Sequence, residues 1–301
     1  MIRLNGTDFV TINNLNVNAY STSTSNYGWG VFMTNDADNN TINGCTITLD
    51  SNTTSSNYAG IVLSGSPTTA TTTGSNCDNI TLTNNTINGG YYGITLMGNT
   101  GAGIIQNIVV ANNVVKNFYI YGIYGGGTNN SVIENNDIHR MTRSSNFTTF
   151  YGINMGTANT ALTISRNRIH DPATVAPASS FTLYGIYLSA STSTVGNENM
   201  VANNLLYSLQ GEGSQYALYN SSSGNTRYYY NTINSDYAAT TGGLTRGFYQ
   251  ITAQTGIELR NNIISITRST GSTANRPRAP TAAPSRSDAS RTRPCSGSAP
   301  T

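Results

Sequence analysis

Charge is scarce in this 301-residue chain: Asp, Glu, Lys and Arg make up only 9% of it, against about 25% in an ordinary globular domain. There is one lysine, Lys116, one tryptophan, Trp29, and two histidines, His139 and His170. So little charge excludes a charge-laced coiled coil and the basic footprint of a nucleic-acid binder. The three cysteines, Cys45, Cys77 and Cys295, are odd in number and far apart, which supports neither a disulfide framework nor a zinc site. No apolar run reaches the 18 residues of a membrane-spanning helix, so no membrane insertion is expected. The N-terminal residues Met1-Ile2-Arg3-Leu4-Asn5-Gly6 lack the apolar stretch of a signal peptide. We therefore expect a piece of a longer secreted or cell-surface chain.

What charge there is falls unevenly. Residues 1–270 hold nine arginines and Lys116 against twelve acids, a net −2. Residues 271–301 hold five arginines against Asp288, a net +4, in a run rich in Arg, Pro, Ala and Ser with no apolar periodicity. This predicts a boundary near residue 270, followed by a disordered tail.

In place of charge the chain has Asn, Thr, Ser, Gly and 19 tyrosines, arranged as a repeat. An aromatic or small residue, a Gly, then an apolar residue recurs at Trp29-Gly30-Val31, Ala59-Gly60-Ile61, Tyr92-Gly93-Ile94 and Tyr121-Gly122-Ile123. It continues at Tyr151-Gly152-Ile153, Tyr184-Gly185-Ile186, Tyr216-Ala217-Leu218 and Arg246-Gly247-Phe248, with a mean step of about 31 residues. A second unit interleaves with it: a short alternating strand, an Asn pair, then another apolar residue, as in Ile80-Thr81-Leu82-Thr83-Asn84-Asn85-Thr86-Ile87. Its other copies centre on Asn112-Asn113, Asn135-Asn136, Arg166-Asn167, Asn203-Asn204, Tyr230-Asn231 and Asn261-Asn262, with weaker ones at Asn14-Leu15 and Gly44-Cys45.

Each period thus holds three short strands. One coil cannot bury its apolar face alone, but stacked coils share a continuous core. Asn suits the sharp corners, because it tolerates the left-handed conformation and its amide can bond along the stack. The expected fold is all-β: a single right-handed parallel β-helix of about nine coils, about 43 Å long at one strand spacing per coil. No distinct cap precedes Val10.

The Gly-Ile strands and stacked Asn turns over residues 9–268 resemble the right-handed parallel β-helix superfamily of pectate-lyase-like proteins. The Asn-, Thr- and Tyr-rich coils also look like those of large secreted proteins of gliding-type bacteria. The resemblance implies the fold. It implies function only broadly, because the superfamily includes lyases, hydrolases, adhesins and spacers.

Period-2 alternation places the residues one and three after each Gly inward and the residue two after it outward. The outward column reads Phe32, Val62, Thr95, Tyr124, Asn154, Tyr187, Tyr219 and Tyr249. We expect Tyr124, Asn154, Tyr187, Tyr219 and Tyr249, with Lys116, to bind substrate, since flat aromatic faces suit pyranose rings and a linear stripe suits a linear glycan. The column contains no Asp, Glu, Lys or Arg. The carboxylates of the resembled pectate lyases and polygalacturonases have no counterpart in it, and glycoside hydrolysis needs two of them.

A second candidate follows the Asn turns. Superposing Asn136 on Asn167 aligns His139 with His170, Asp137 with Arg168 and Arg140 with Asp171, with Lys116 one coil earlier and Tyr207 one coil later. Here His139 or His170 would abstract a proton, while Arg140 and Arg143 neutralise a uronate carboxylate. Asp36 and Asp38 offer oxygen ligands to calcium, but without the Gly and Glu of an EF-hand loop; no resident cofactor is expected. Three functions follow: a non-catalytic module binding polysaccharide or cell-surface glycan, a uronate-specific polysaccharide lyase or glycoside hydrolase, and a plain structural spacer.

Overall fold

The computed structural model describes residues 1–23, 25–239 and 242–268. The expected tail after residue 270 lies outside the described residues.

The chain winds as a parallel β-solenoid of nine coils. Three nine-stranded parallel sheets run its length. The first extends from Ile2–Asn5 to Thr245–Gln250 and carries the long strands, such as Tyr121–Gly126 and Leu183–Ser189. The second and third are built from strands of three or four residues, such as Val132–Glu134 and Asp137–His139. A two-stranded fragment, Ile105–Gln106 with Thr128–Asn129, adds a side ladder.

The sharp corner between the second and third sheets explains the Asn pairs. The first residue of each pair stands in the left-handed region: Asn84, Asn112, Asn135 and Asn203 have φ between 54° and 58°. Arg166 and Tyr230 adopt the same φ of 56° where the pair lacks its first Asn. The second residue turns inward and joins a file of amides. Nδ2 of Asn85, Asn113, Asn136, Asn167, Asn204 and Asn231 donates to Oδ1 of the next Asn, at 2.9–3.0 Å. The same Nδ2 donates to a carbonyl of the preceding coil, as Asn136 does to Val110 at 2.9 Å. Each Oδ1 also accepts a backbone N–H, as that of Asn136 does from Asn113 at 3.0 Å. A buried amide with both ends engaged carries no desolvation debt, so polar residues can line the interior.

The apolar interior follows the expected register. Val31, Ile61, Ile94, Ile123, Ile153, Ile186 and Leu218 are all buried, as are Met33, Leu63, Leu96, Met155 and Leu188. Alternation fails at one place, the repeat glycine. A Cβ on Gly30 would lie 2.4 Å from Ile47, on Gly60 2.4 Å from Ile87, and on Gly93 2.3 Å from Val115. The glycine therefore faces inward, into the apolar side chain of the third sheet in its own coil. The apolar residue after it also faces inward, so the residue before it is thrown outward.

Candidate functional site

That break in alternation builds the broadest aromatic surface of the molecule. Tyr92, Tyr121, Tyr151, Tyr184 and Tyr216, each just before the repeat Gly or Ala, form a stack along the first sheet. Their successive ring centroids are 5.4, 4.9, 4.6 and 5.3 Å apart, with planes within 15° of parallel. Strict period-2 reading places these residues inside, so this file escapes it. The repeat itself held the signal, because a conserved spacing of Tyr-Gly would be wasteful in an interior with no room beside the glycine.

The expected outward column forms a second, shorter file beside the first. Tyr187 and Tyr219 stack at 4.8 Å and 13°. They stand perpendicular to the first file, with Tyr184 and Tyr187 at 87° and Tyr216 and Tyr219 also at 87°. Tyr124 packs on Tyr121 at 4.8 Å, and Tyr249 on Tyr219 at 5.3 Å. Asn154 sits between Tyr124 and Tyr187 in register and is buried. Parallel rings this close must overlap face to face. The flat faces expected to meet a sugar are therefore largely taken by neighbouring rings, and the files offer ring edges and phenol hydroxyls instead. Burial, reinforced by neighbouring phenols, pushes the hydroxyls of Tyr121 and Tyr219 up to about 12, so they stay protonated donors.

The face has definite ends. Towards the N-terminus the loop 64–75 lies over the first sheet, burying Phe32 and Val62 against Trp29, Ala59 and Ala70. Towards the C-terminus the Arg246 guanidinium sits 4.0 Å from the Tyr249 ring centroid and 5.6 Å from that of Tyr216. Beside Tyr124, at the edge of the loop, opens a cleft of about 280 Å³ lined by Thr71, Thr73, Asn99, Thr100, Thr157 and a floor of glycines.

The histidine band lies on the third sheet. Lys116, His139, His170 and Tyr207 occupy one register column, as alignment on the Asn corners predicts, each lying three residues after its corner Asn. Lys116 is thus on a different sheet from the tyrosines with which it was grouped. His139 stacks on His170 at 5.1 Å, and His170 on Tyr207 at 4.8 Å. Both His170 nitrogens are engaged: Nδ1 with Asp171 Oδ2 and Nε2 with Asp137 Oδ1, each at 2.7 Å. Arg168 adds a 2.9 Å ion pair to Asp137, while Gln210 and Thr174 donate to Asp171.

These contacts drive the two imidazoles apart. For His170, burial favours the neutral form, but hydrogen bonds and charge from Asp137 and Asp171 outweigh it and raise the pKa. For His139, burial and the neighbouring His170 charge lower it. His139 Nδ1 accepts the Met141 N–H at 3.3 Å, as a neutral ring can. The carboxyls of Asp137 and Asp171 are depressed: burial opposes this, but bonds from His170 and, for Asp171, Gln210 prevail.

The two arginines expected beside them turn inward, which corrects the reading that they face a substrate. Arg140 is fully buried, and its guanidinium donates to the carbonyls of Pro172, Tyr119 and Thr148 inside a box of Phe147, Phe150 and Phe181. Arg143 is equally buried and donates to the carbonyls of Ser145, Ser51, Asn117 and Thr53. A long side chain with five donors can tie several loop carbonyls at once. Both arginines are loop staples. Asp38, weighed above as a calcium ligand, is also a rung: Asp8 accepts the Asp38 N–H at 2.8 Å, and Asp38 accepts that of Asp78 at 2.7 Å.

No curated protein matches the chain. Residues 39–265 match the family model described as periplasmic copper-binding protein (NosD). Copper favours imidazole, thiolate and thioether ligands. The donors present do not fit a resident copper ion: His170 has both nitrogens on carboxylates and His139 has Nδ1 on a backbone N–H. Cys45 and Cys77 are buried, with their sulfurs on backbone carbonyls, and burial pushes the Cys77 thiol up to about 12. Among the described residues, no three His, Cys, Asp or Glu side chains converge as a metal site. The match takes in seven of the nine coils and most of the chain, and on it the chain belongs to the NosD family of periplasmic β-helix proteins.

Proposed function

We propose that this chain is a non-catalytic module, working outside the cytoplasm, that binds carbohydrate through the tyrosine face of its first sheet. The observation that carries this reading is the pair of tyrosine files from Tyr92 to Tyr249 across six coils, partly exposed at every ring but Tyr219, which its neighbours bury. A row of ring edges and protonated hydroxyls at one-coil spacing is amphipathic. It meets both the C–H surfaces and the hydroxyls of a glycan laid along the rod. Adhesion to a cell-surface glycan would use the same face.

The competing reading is a polysaccharide lyase or glycoside hydrolase centred on His139 and His170. Its support is the opposite displacement of the two imidazoles, His139 downward by burial and His170 upward by its two carboxylates, which resembles an acid–base pair. Against it stand the buried arginines, which leave a uronate carboxylate only Lys116 and the Asp137-paired Arg168 among the described cations at the band, and the engagement of both His170 nitrogens. A spacer needs neither feature.

Affinity electrophoresis through polysaccharide-containing gels separates these readings. Retardation that is lost in Tyr187→Ala and Tyr219→Ala, with no new reducing ends or unsaturated uronate, supports the binding module. Turnover that disappears in His139→Ala replaces it with the enzyme. Neither retardation nor turnover leaves the spacer.

A further inference from the structure

The tyrosine face is uncharged over most of its length. Its two outward columns run from Ala59 and Val62 to Tyr216 and Tyr219, and neither contains an Asp, Glu, Lys or Arg over that span. Arg246 caps the C-terminal end of the face over Tyr216 and Tyr249, but along the rest of it the cations that could have served an acidic polymer are elsewhere: Arg140 and Arg143 are buried and bonded to carbonyls, and Lys116 is on the third sheet. Between the cleft and that end, an anionic polysaccharide would lose hydration on this surface and gain no counter-charge. A neutral one exchanges water hydrogen bonds for phenol, hydroxyl and amide bonds.

The cleft at the edge of the loop 64–75 is also free of charge. Thr71, Thr73, Asn99, Thr100, Thr157 and Tyr124 supply its side-chain donors and acceptors. Gly126 and Gly156 keep its floor at backbone level; a Cβ on Gly126 would stand 3.0 Å from the Thr157 carbonyl oxygen. At about 280 Å³ it lies at the lower bound of small-molecule sites, which suits one or two sugar rings rather than a passing polymer. The loop blocks the groove beyond it, since Phe32, Val62 and Thr95 beneath are wholly covered. Tyr124 belongs to both features: it lines the cleft and packs on Tyr121 and Tyr92 of the long file.

We infer that the site takes an uncharged glycan, with its terminal residue seated in the Thr71–Thr73–Asn99–Tyr124 cleft and its following residues along the tyrosine files. This rests on the carbohydrate-binding reading above and adds the ligand's charge class and its direction of seating. The loop 64–75 is the wall that makes the site recognise an end.

The test is isothermal titration of the full chain with cellohexaose, xylohexaose and mannohexaose, set against hexagalacturonate, at low ionic strength. We expect at least one neutral hexasaccharide to bind at least tenfold more tightly than hexagalacturonate. Thr73→Trp, which fills the cleft, should weaken that binding at least tenfold, as should Asn99→Ala. The far-UV spectra and melting curves of both variants check that they fold. Hexagalacturonate binding as tightly as the neutral probes overturns the charge class. Neutral binding that is lost in Tyr187→Ala but unmoved by Thr73→Trp and Asn99→Ala overturns the terminal seat, while the tyrosine-face reading survives. No binding of any of the four probes overturns both.

Discussion

Gly247 and Ile264 meet across the last coil so closely that a Cβ on the glycine would lie 2.4 Å from Ile264 Cγ2. The three nearest atoms to that Cβ all belong to Ile264. Elsewhere in the column the glycine also abuts backbone, as Gly93 does against the Gly122 carbonyl at 2.5 Å. At Gly247 the constraint is thus a side chain alone, which makes it separable by mutation.

Gly247→Ala should cost about 1–3 kcal/mol, the usual range for overpacking. Ile264→Ala should also destabilise, by removing apolar contact. The double variant should recover part of the Gly247→Ala loss, because the methyl then occupies space the isoleucine has left. Urea denaturation of the four proteins gives the coupling. Strictly additive losses would show that the glycine is required for backbone reasons.

Asn136 occupies the middle of the amide file, accepting from Asn113 and donating to Asn167 and Val110. Asn136→Ala leaves the Asn113 backbone N–H and one Asn113 Nδ2 proton without their acceptor and takes a donor from the Val110 carbonyl, while Asn167 Oδ1 keeps the backbone N–H of residue 136. Leaving buried polar groups unpaired costs about 1–3 kcal/mol each, so the loss should be at least about 2 kcal/mol. Asn262, the last Asn of the file, accepts from Asn231 and donates to Tyr228. Asn262→Ala removes the same kinds of bond at a part-buried position, where water can replace them, and should cost less. Thermal or urea unfolding ranks the two, and equal losses would contradict a cost set by burial.

How much of this was legible in the sequence depended on whether a residue's role is local. The coils were legible, because the Asn corners and the 31-residue period are written in every repeat. So was the column of Lys116, His139, His170 and Tyr207, since each stands three residues after the Asn of its own corner. The file from Tyr92 to Tyr216 was not, because alternation breaks at a glycine whose partner lies on another sheet. Nor was the burial of Arg140 and Arg143. Arg143 reaches the carbonyls of Ser51 and Thr53, about ninety residues away, and no pattern along the chain announces a staple between loops.

The imidazole pair predicts a split titration. His170, clamped by Asp137 and Asp171, should titrate above the ordinary value of about 6.5, and His139 below it. The signs for stability are opposite. The raised His170 contributes stability that is fully present below about pH 6.5 and is lost as pH rises through its folded value. The lowered His139 contributes stability present above about pH 6.5 and lost as pH falls through its own folded value. Heteronuclear NMR of the two ring-proton signals, assigned with His139→Gln, reads both. Asp137→Asn should bring the His170 titration down, and coincident titrations in the wild-type chain would contradict the clamp.

Copper addition gives a prediction that runs against the family's description. His170 would have to give up a carboxylate on one nitrogen to ligate a metal, and the same carboxylates that raise its pKa make its proton harder to displace. The buried sulfurs of Cys45 and Cys77 would have to leave their carbonyl partners. Desalting the chain after exposure to one equivalent of Cu(II), or of Cu(I) under reducing conditions, should therefore leave well under one copper per chain, with the histidine NMR signals unbroadened by Cu(II). Cys295→Ser removes the thiol outside the described residues and separates its binding from that of the solenoid. Stoichiometric copper that survives in Cys295→Ser and is lost in His139→Gln would show that the band rearranges to accept metal. The carboxylates of Asp137 and Asp171 would then be ligands in waiting rather than clamps.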